Sequence, residues 1–196
     1  MKKTFLLSSL LLFIIGISLF LNDRSAVTPV AAIEQVRTSV GQIYDEIDLA
    51  NGKMVFYVRG DNQMINAEYV KKTWTGGWKW GFGGGHSIPP LQKDVLDTEH
   101  DWTDQYFPST KGTPFDLPSP MLFGVILTND IQTIRVQSER TKESFDAHIL
   151  SNDLFPFKLW YVLVPEEQGV KFTLEALSSA QKVVSVKTSD WQIHNE

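Results

Sequence analysis

The sequence contains no cysteine, which excludes disulfides, iron–sulfur clusters, thiolate zinc sites and thiol nucleophiles. It also lacks an excess of positive charge. Eighteen basic against twenty-three acidic side chains give a net charge of −5, so electrostatics disfavour a general nucleic-acid-binding role. No Walker loop, nucleophile elbow, kinase, zincin or β-lactamase signature occurs in the 196 residues, and no internal repeat is visible. What is present is a globular composition, 42% hydrophobic and 12% aromatic, in a chain long enough for one domain with a buried core.

The chain opens with an apolar leader. Lys2 and Lys3 precede an uncharged stretch from Phe5 to Leu21, and Asn22, Asp23 and Arg24 follow it. As a helix that stretch would span roughly 25 Å, slightly under a hydrocarbon core of about 30 Å. The small-residue pairs nearby, Gly16/Ser18 and Ser25/Ala26, are poorly placed for cleavage. Residues 1–25 are therefore expected to be a signal or membrane anchor, with residues 5–21 as the membrane contact and an uncleaved single-pass anchor preferred. The positive-inside rule then leaves the remainder outside the cell membrane, or secreted if the leader is cleaved. Residues 26–196 are expected to form one extracytoplasmic domain. Removing residues 1–24 takes away three basic and one acidic side chain, leaving −7.

The expected fold class is α+β: the N-terminal anchor helix, then one further helix packed on an antiparallel β-sheet or β-sandwich. Thr28 suits an N-cap and Pro29 the first helical position. Ile33, Val36, Val40, Ile43 and Ile47 recur at helical spacing, predicting a helix to about Tyr44. Asp45, Glu46 and Asp48 would burden its negative end, and Asn51-Gly52 is a strong hairpin signal. The same stripe fits a short coiled coil. Beyond Lys53, strand patterns prevail. A tight turn at Gly76-Gly77 would set Trp74 opposite Lys79. A two-residue turn at Asn129-Asp130 would pair Val125 with Ile134, and a loop at Ser179–Gln181 would pair Leu174 with Val186. Residues 86–120 hold six of the nine prolines and read as irregular chain, a segment type that is usually functional or partly disordered.

Unusual residues gather between Trp74 and Asp104. Trp74, Trp78 and Trp80 beside Gly76-Gly77 form a candidate aromatic platform for sugar rings or a peptide, with Lys79 nearby; Trp78 and Trp80 also fit ordinary core positions on one strand face. His86 closes the glycine-rich run Gly81–Ser87 and is a candidate ligand donor or general base, against the plainer reading of a flexible strand exit. Asp97, Glu99 and Asp101 have the alternate spacing that begins a calcium loop, so they are the candidate metal ligands. Trp102 replaces the glycine of that loop and Pro108 its bidentate glutamate, which fits a solvated acidic loop as well. No cofactor is expected.

The segments Val55-Phe56-Tyr57, Gly77-Trp78-Lys79-Trp80, Phe123-Gly124-Val125-Ile126 and Leu159-Trp160-Tyr161 follow the leader in one small domain. In this the chain resembles small exported or membrane-anchored Gram-positive bacterial proteins of unassigned function. That resemblance implies compartment and architecture, and no site residue. The functional expectation is a membrane-tethered, non-enzymatic domain binding a ligand or partner at the cell surface. Its rival is a metal- or His-dependent hydrolase of cell-wall material, with His86 and the acidic loop converging.

Overall fold

The computed structural model describes residues 25–60, 63–90 and 101–191. Three four-stranded antiparallel sheets account for most of them. The first sheet is a meander of β1 (Gln42–Leu49), β2 (Gly52–Arg59), β3 (Met64–Lys72) and β4 (Trp78–Ser87). The second has the order β5-β6-β10-β9, from β5 (Gln105–Phe107), β6 (Met121–Ile126), β9 (His148–Ser151) and β10 (Lys158–Leu163). The third has the order β12-β11-β7-β8, from β7 (Thr133–Ser138), β8 (Ser144–Asp146), β11 (Lys171–Leu177) and β12 (Val183–Asp190).

The sheets stack face to face. Phe56 and Tyr69 of the first sheet meet Phe123 and Leu159 of the second in one core. Leu122 and Trp160, on the opposite face of the second sheet, meet Phe172 and Leu174 of the third. The middle sheet is thus buried on both faces, which is why β6 (MLFGVI) is a continuous apolar run. By contrast β7 alternates buried and half-buried residues, as a sheet with one wet face requires. A third, smaller core lies on the outer face of the first sheet, where Ala32 and Ile33 of α1, a short α-helix (Pro29–Glu34), cover Val55, Tyr57 and Val70.

The architecture corrects the α+β expectation: the described residues are mostly β, with one six-residue helix and a 3-10 turn at Glu166–Gln168. Thr28 does cap α1, its Oγ1 accepting from the Ala31 amide at 3.1 Å. The helix ends at Glu34, and Gln42–Leu49 is a strand. A bulge lies between Ile43 and Asp45, within the stretch read as a helical stripe. The bulge reverses the alternation, so Ile43 packs on the outer face while Ile47 packs on the inner one. Val36, on the expected stripe, is exposed.

The membrane expectation is corrected too. Among the described residues no helix is long and apolar enough to cross a membrane, so the single-pass anchor and the cell-membrane location are not supported. Residues 5–21, on which that expectation rests, lie outside the described residues.

Three turns also differ from their sequence reading. β6 and β7 do not pair, because the chain passes from the middle sheet to the third between them. The β11–β12 hairpin forms, but a bulge at Ala176/Leu177 sets Leu174 opposite Lys187. The β3–β4 connection spans residues 73–77, so Lys71, not Trp74, faces Lys79.

Candidate functional site

The β3–β4 turn is closed by its own backbone. The Thr73 amide donates to the Gly77 carbonyl at 2.8 Å and the Gly76 amide to the Thr73 carbonyl at 3.0 Å. Gly76 sits at φ +89°, a conformation that disfavours any side chain. These bonds place Trp74 at the tip, 79% exposed. Trp78, the first residue of β4, is partly buried, and its backbone forms a two-bond bridge with Ala26 at 2.8 Å each way. The indole of Trp78 carries the Lys72 ammonium 5.8 Å from its centroid.

Trp74 and Trp78 line a cleft of about 730 Å3 between the β1–β2 and β3–β4 turns, within the usual size of small-ligand sites. The opposite wall comes from Asp48, Asn51 and Lys53, and Asp116 contributes from the loop after β5. Lys53 is already engaged, 3.1 Å from Asp48 and 3.5 Å from Glu46, and the hydrogen bond to Asp48 raises its pKa. Lys71 Nζ donates to the Pro114 carbonyl at 3.1 Å.

Trp80 packs on the same outer-face core as Trp78 but is bound to a buried carboxylate. Its Nε1 donates to Glu68 Oε2 at 2.6 Å, on the outer face of the first sheet. Glu68 is fully buried. Its carboxylate also receives Arg37 Nε at 2.8 Å, Arg37 Nη2 at 3.2 Å and the Tyr57 hydroxyl at 3.4 Å. Gly83 leaves room for it, since a Cβ there would lie 1.9 Å from Glu68 Oε2. Every lone pair of the carboxylate is filled, which makes this a clamp between the segment after α1 and the sheet rather than a reactive group. Burial, then the Glu68 charge, pushes the Tyr57 pKa up to about 12. Sequence spacing gave no hint of this network, because Arg37 and Glu68 are 31 residues apart.

His86 joins neither group. It sits between the first and second sheets, 5.6 Å from the Phe123 ring, with Nε2 2.7 Å from Thr103 Oγ1. Burial lowers its pKa to about 4; Asp104 opposes that shift and Lys187 adds to it. Nδ1 is buried and has no partner among the described residues, so among them the Thr103 hydroxyl alone orients the ring by a hydrogen bond. Asp104 accepts from Ser189 Oγ at 2.5 Å and lies 3.9 Å from Lys187 Nζ, ties that join the second and third sheets. Of the candidate metal ligands, Asp97 and Glu99 lie outside the described residues. Asp101 is at the edge of the middle sheet, where its carbonyl accepts from the Leu127 amide at 2.8 Å. Among the described residues no group of three His, Asp or Glu side chains could hold a metal ion. Trp102, the next residue, is fully buried against Trp160.

No protein-family model, curated protein or solved structure matches this chain.

Proposed function

We propose that the protein is a non-enzymatic recognition domain whose ligand seats in the cleft at Trp74 and Trp78. The observation that carries this reading is the combination of a rigid turn with a large aromatic held out at its tip. Exposing an indole forgoes its burial, which is worth about 1.5–3 kcal/mol for a large apolar side chain. A turn that spends its hydrogen bonds to hold the ring over a cleft favours contact with something else. The cleft walls combine two indoles with lysine, asparagine and aspartate side chains, the mixture of apolar faces and few polar groups that orients a ligand. The hydrolase alternative lacks the same support. His86 packs between the first and second sheets and does not line the cleft at Trp74 and Trp78.

The test is a tryptophan-fluorescence titration of the full chain with a panel of neutral and acidic oligosaccharides and of acidic and basic peptides. A saturable change with at least one probe, abolished in Trp74→Ala at unchanged melting temperature, is the expected result. A panel in which no probe gives a Trp74-dependent change overturns the reading.

A further inference from the structure

The charges around the cleft are unevenly committed. Lys53 is held by Asp48 and Glu46. Lys71 rests on a carbonyl, which does not neutralise it, and Lys72 rests on the face of Trp78. Neither Lys71 nor Lys72 has a carboxylate partner among the described residues, in a chain whose net charge is −5. Two ammonium groups with no carboxylate within ion-pair distance among the described residues therefore accompany an exposed indole in the lining of one cleft, to which Asp48 and Asp116 also contribute.

The rest of the lining selects among anions. An extended acidic peptide would need free main-chain groups for a ladder. Here the main chain between the two turns is already bonded: the Lys72 amide donates to the Asn51 carbonyl at 2.9 Å and the Thr73 amide to Gly77. Asn51 and Asp116 can accept from hydroxyl groups, and the flat Trp74 ring suits the C–H face of a pyranose. A bare inorganic anion would use the lysines and leave the indole idle.

We infer that the cleft takes an acidic saccharide, with a sugar ring stacked on Trp74 and its carboxylate held by Lys71 and Lys72; this rests on the reading of the cleft as a ligand site. The contact with Lys71 and Lys72 is a charge-assisted hydrogen bond at a partly open surface, so it depends on ionic strength.

Trigalacturonate and its neutral counterpart galactotriose, titrated into the full chain by calorimetry, test the inference. The expected result is saturable trigalacturonate binding at least about tenfold tighter than galactotriose, and weaker at 300 mM than at 20 mM salt. Trp74→Ala and Lys72→Met should each weaken it about tenfold, whereas Lys72→Arg stays within about threefold, since the charge is kept. Both side chains are exposed, so unchanged melting temperatures accompany these variants. Galactotriose binding as tightly, with the same loss in Trp74→Ala, overturns the acidic class and leaves the recognition reading standing. Trigalacturonate binding indifferent to both Trp74→Ala and Lys72→Met overturns the assignment to this cleft. Binding of neither sugar overturns the saccharide class, and the wider probe panel then decides separately whether the cleft recognises anything.

Discussion

Glu68 is fully buried, yet four donor contacts from Arg37, Tyr57 and Trp80 surround its two oxygens. Removing one partner from such a group leaves charge without compensation, which is costlier than the pair is stabilising. Arg37→Ala should therefore destabilise the protein by about 3 kcal/mol in urea unfolding, and adding Glu68→Gln to it should recover part of that loss. His86 makes a pH-dependent contribution of the opposite kind. Its folded pKa of about 4 lies below the ordinary 6.5, so between these values the unfolded chain binds more protons. The stability His86 contributes is complete above pH 6.5 and is lost as pH falls toward 4. His86→Gln keeps a group that can bond Thr103 and does not titrate. Its urea midpoint should fall less between pH 7 and 4 than the parent's, by up to roughly 3 kcal/mol in free energy.

At the scale of elements, irregularities decide which side chains meet. The bulge in β1 turns Tyr44 inward, where its hydroxyl lies 3.0 Å from the Leu150 and Phe157 carbonyls and accepts from the Leu159 amide at 3.2 Å. Desolvation pushes its pKa up to about 12, so the phenol stays neutral across the physiological range. Tyr44→Phe unties the first sheet from the second at this point and should cost about 2 kcal/mol, read as a lowered urea midpoint with unchanged slope. The β3–β4 turn acts on function instead. Gly76→Val strains a positive-φ position by about 1–2 kcal/mol. It should weaken any Trp74-dependent binding by more than it lowers stability, because it moves the tip that presents the ring.

For the whole molecule, the stack of three sheets makes a distinct prediction about neighbours in sequence. Leu122 faces the core shared with the third sheet and Phe123 the core shared with the first. Leu122→Ala and Phe123→Ala should each cost roughly 3–5 kcal/mol. In β7 the adjacent pair behaves differently: Ile134 is buried, while Arg135 forms a surface pair with Asp146 at 2.9 Å. Ile134→Ala should be as costly as the β6 changes, and Arg135→Ala should stay within about 1 kcal/mol. Equal costs at all four positions in thermal or urea unfolding would contradict the stacking order.

The strand patterns, the Thr28–Pro29 helix start, the β1–β2 hairpin near Asn51-Gly52 and the exceptional character of the Trp74–Trp80 segment are written locally in residue type, because turn chemistry and alternation act over a few residues. The extent of α1, the separation of β6 from β7 and the burial of β6 on both faces are not. A run such as MLFGVI is equally compatible with pairing to its neighbour or with a middle layer, and only the presence of sheets on both sides chooses. The division of labour among the tryptophans was likewise settled in three dimensions. Trp74 is freed by a five-residue turn that local pattern reads as two, and Trp80 is claimed by Glu68, twelve residues away in sequence and adjacent across the ladder. Amino-acid type thus determined most of the strands and where the uncommon side chains lie, but not the start of β1 or β5; contacts between distant segments decided those, and decided which uncommon side chains are buried as structure and which are left to face a cleft.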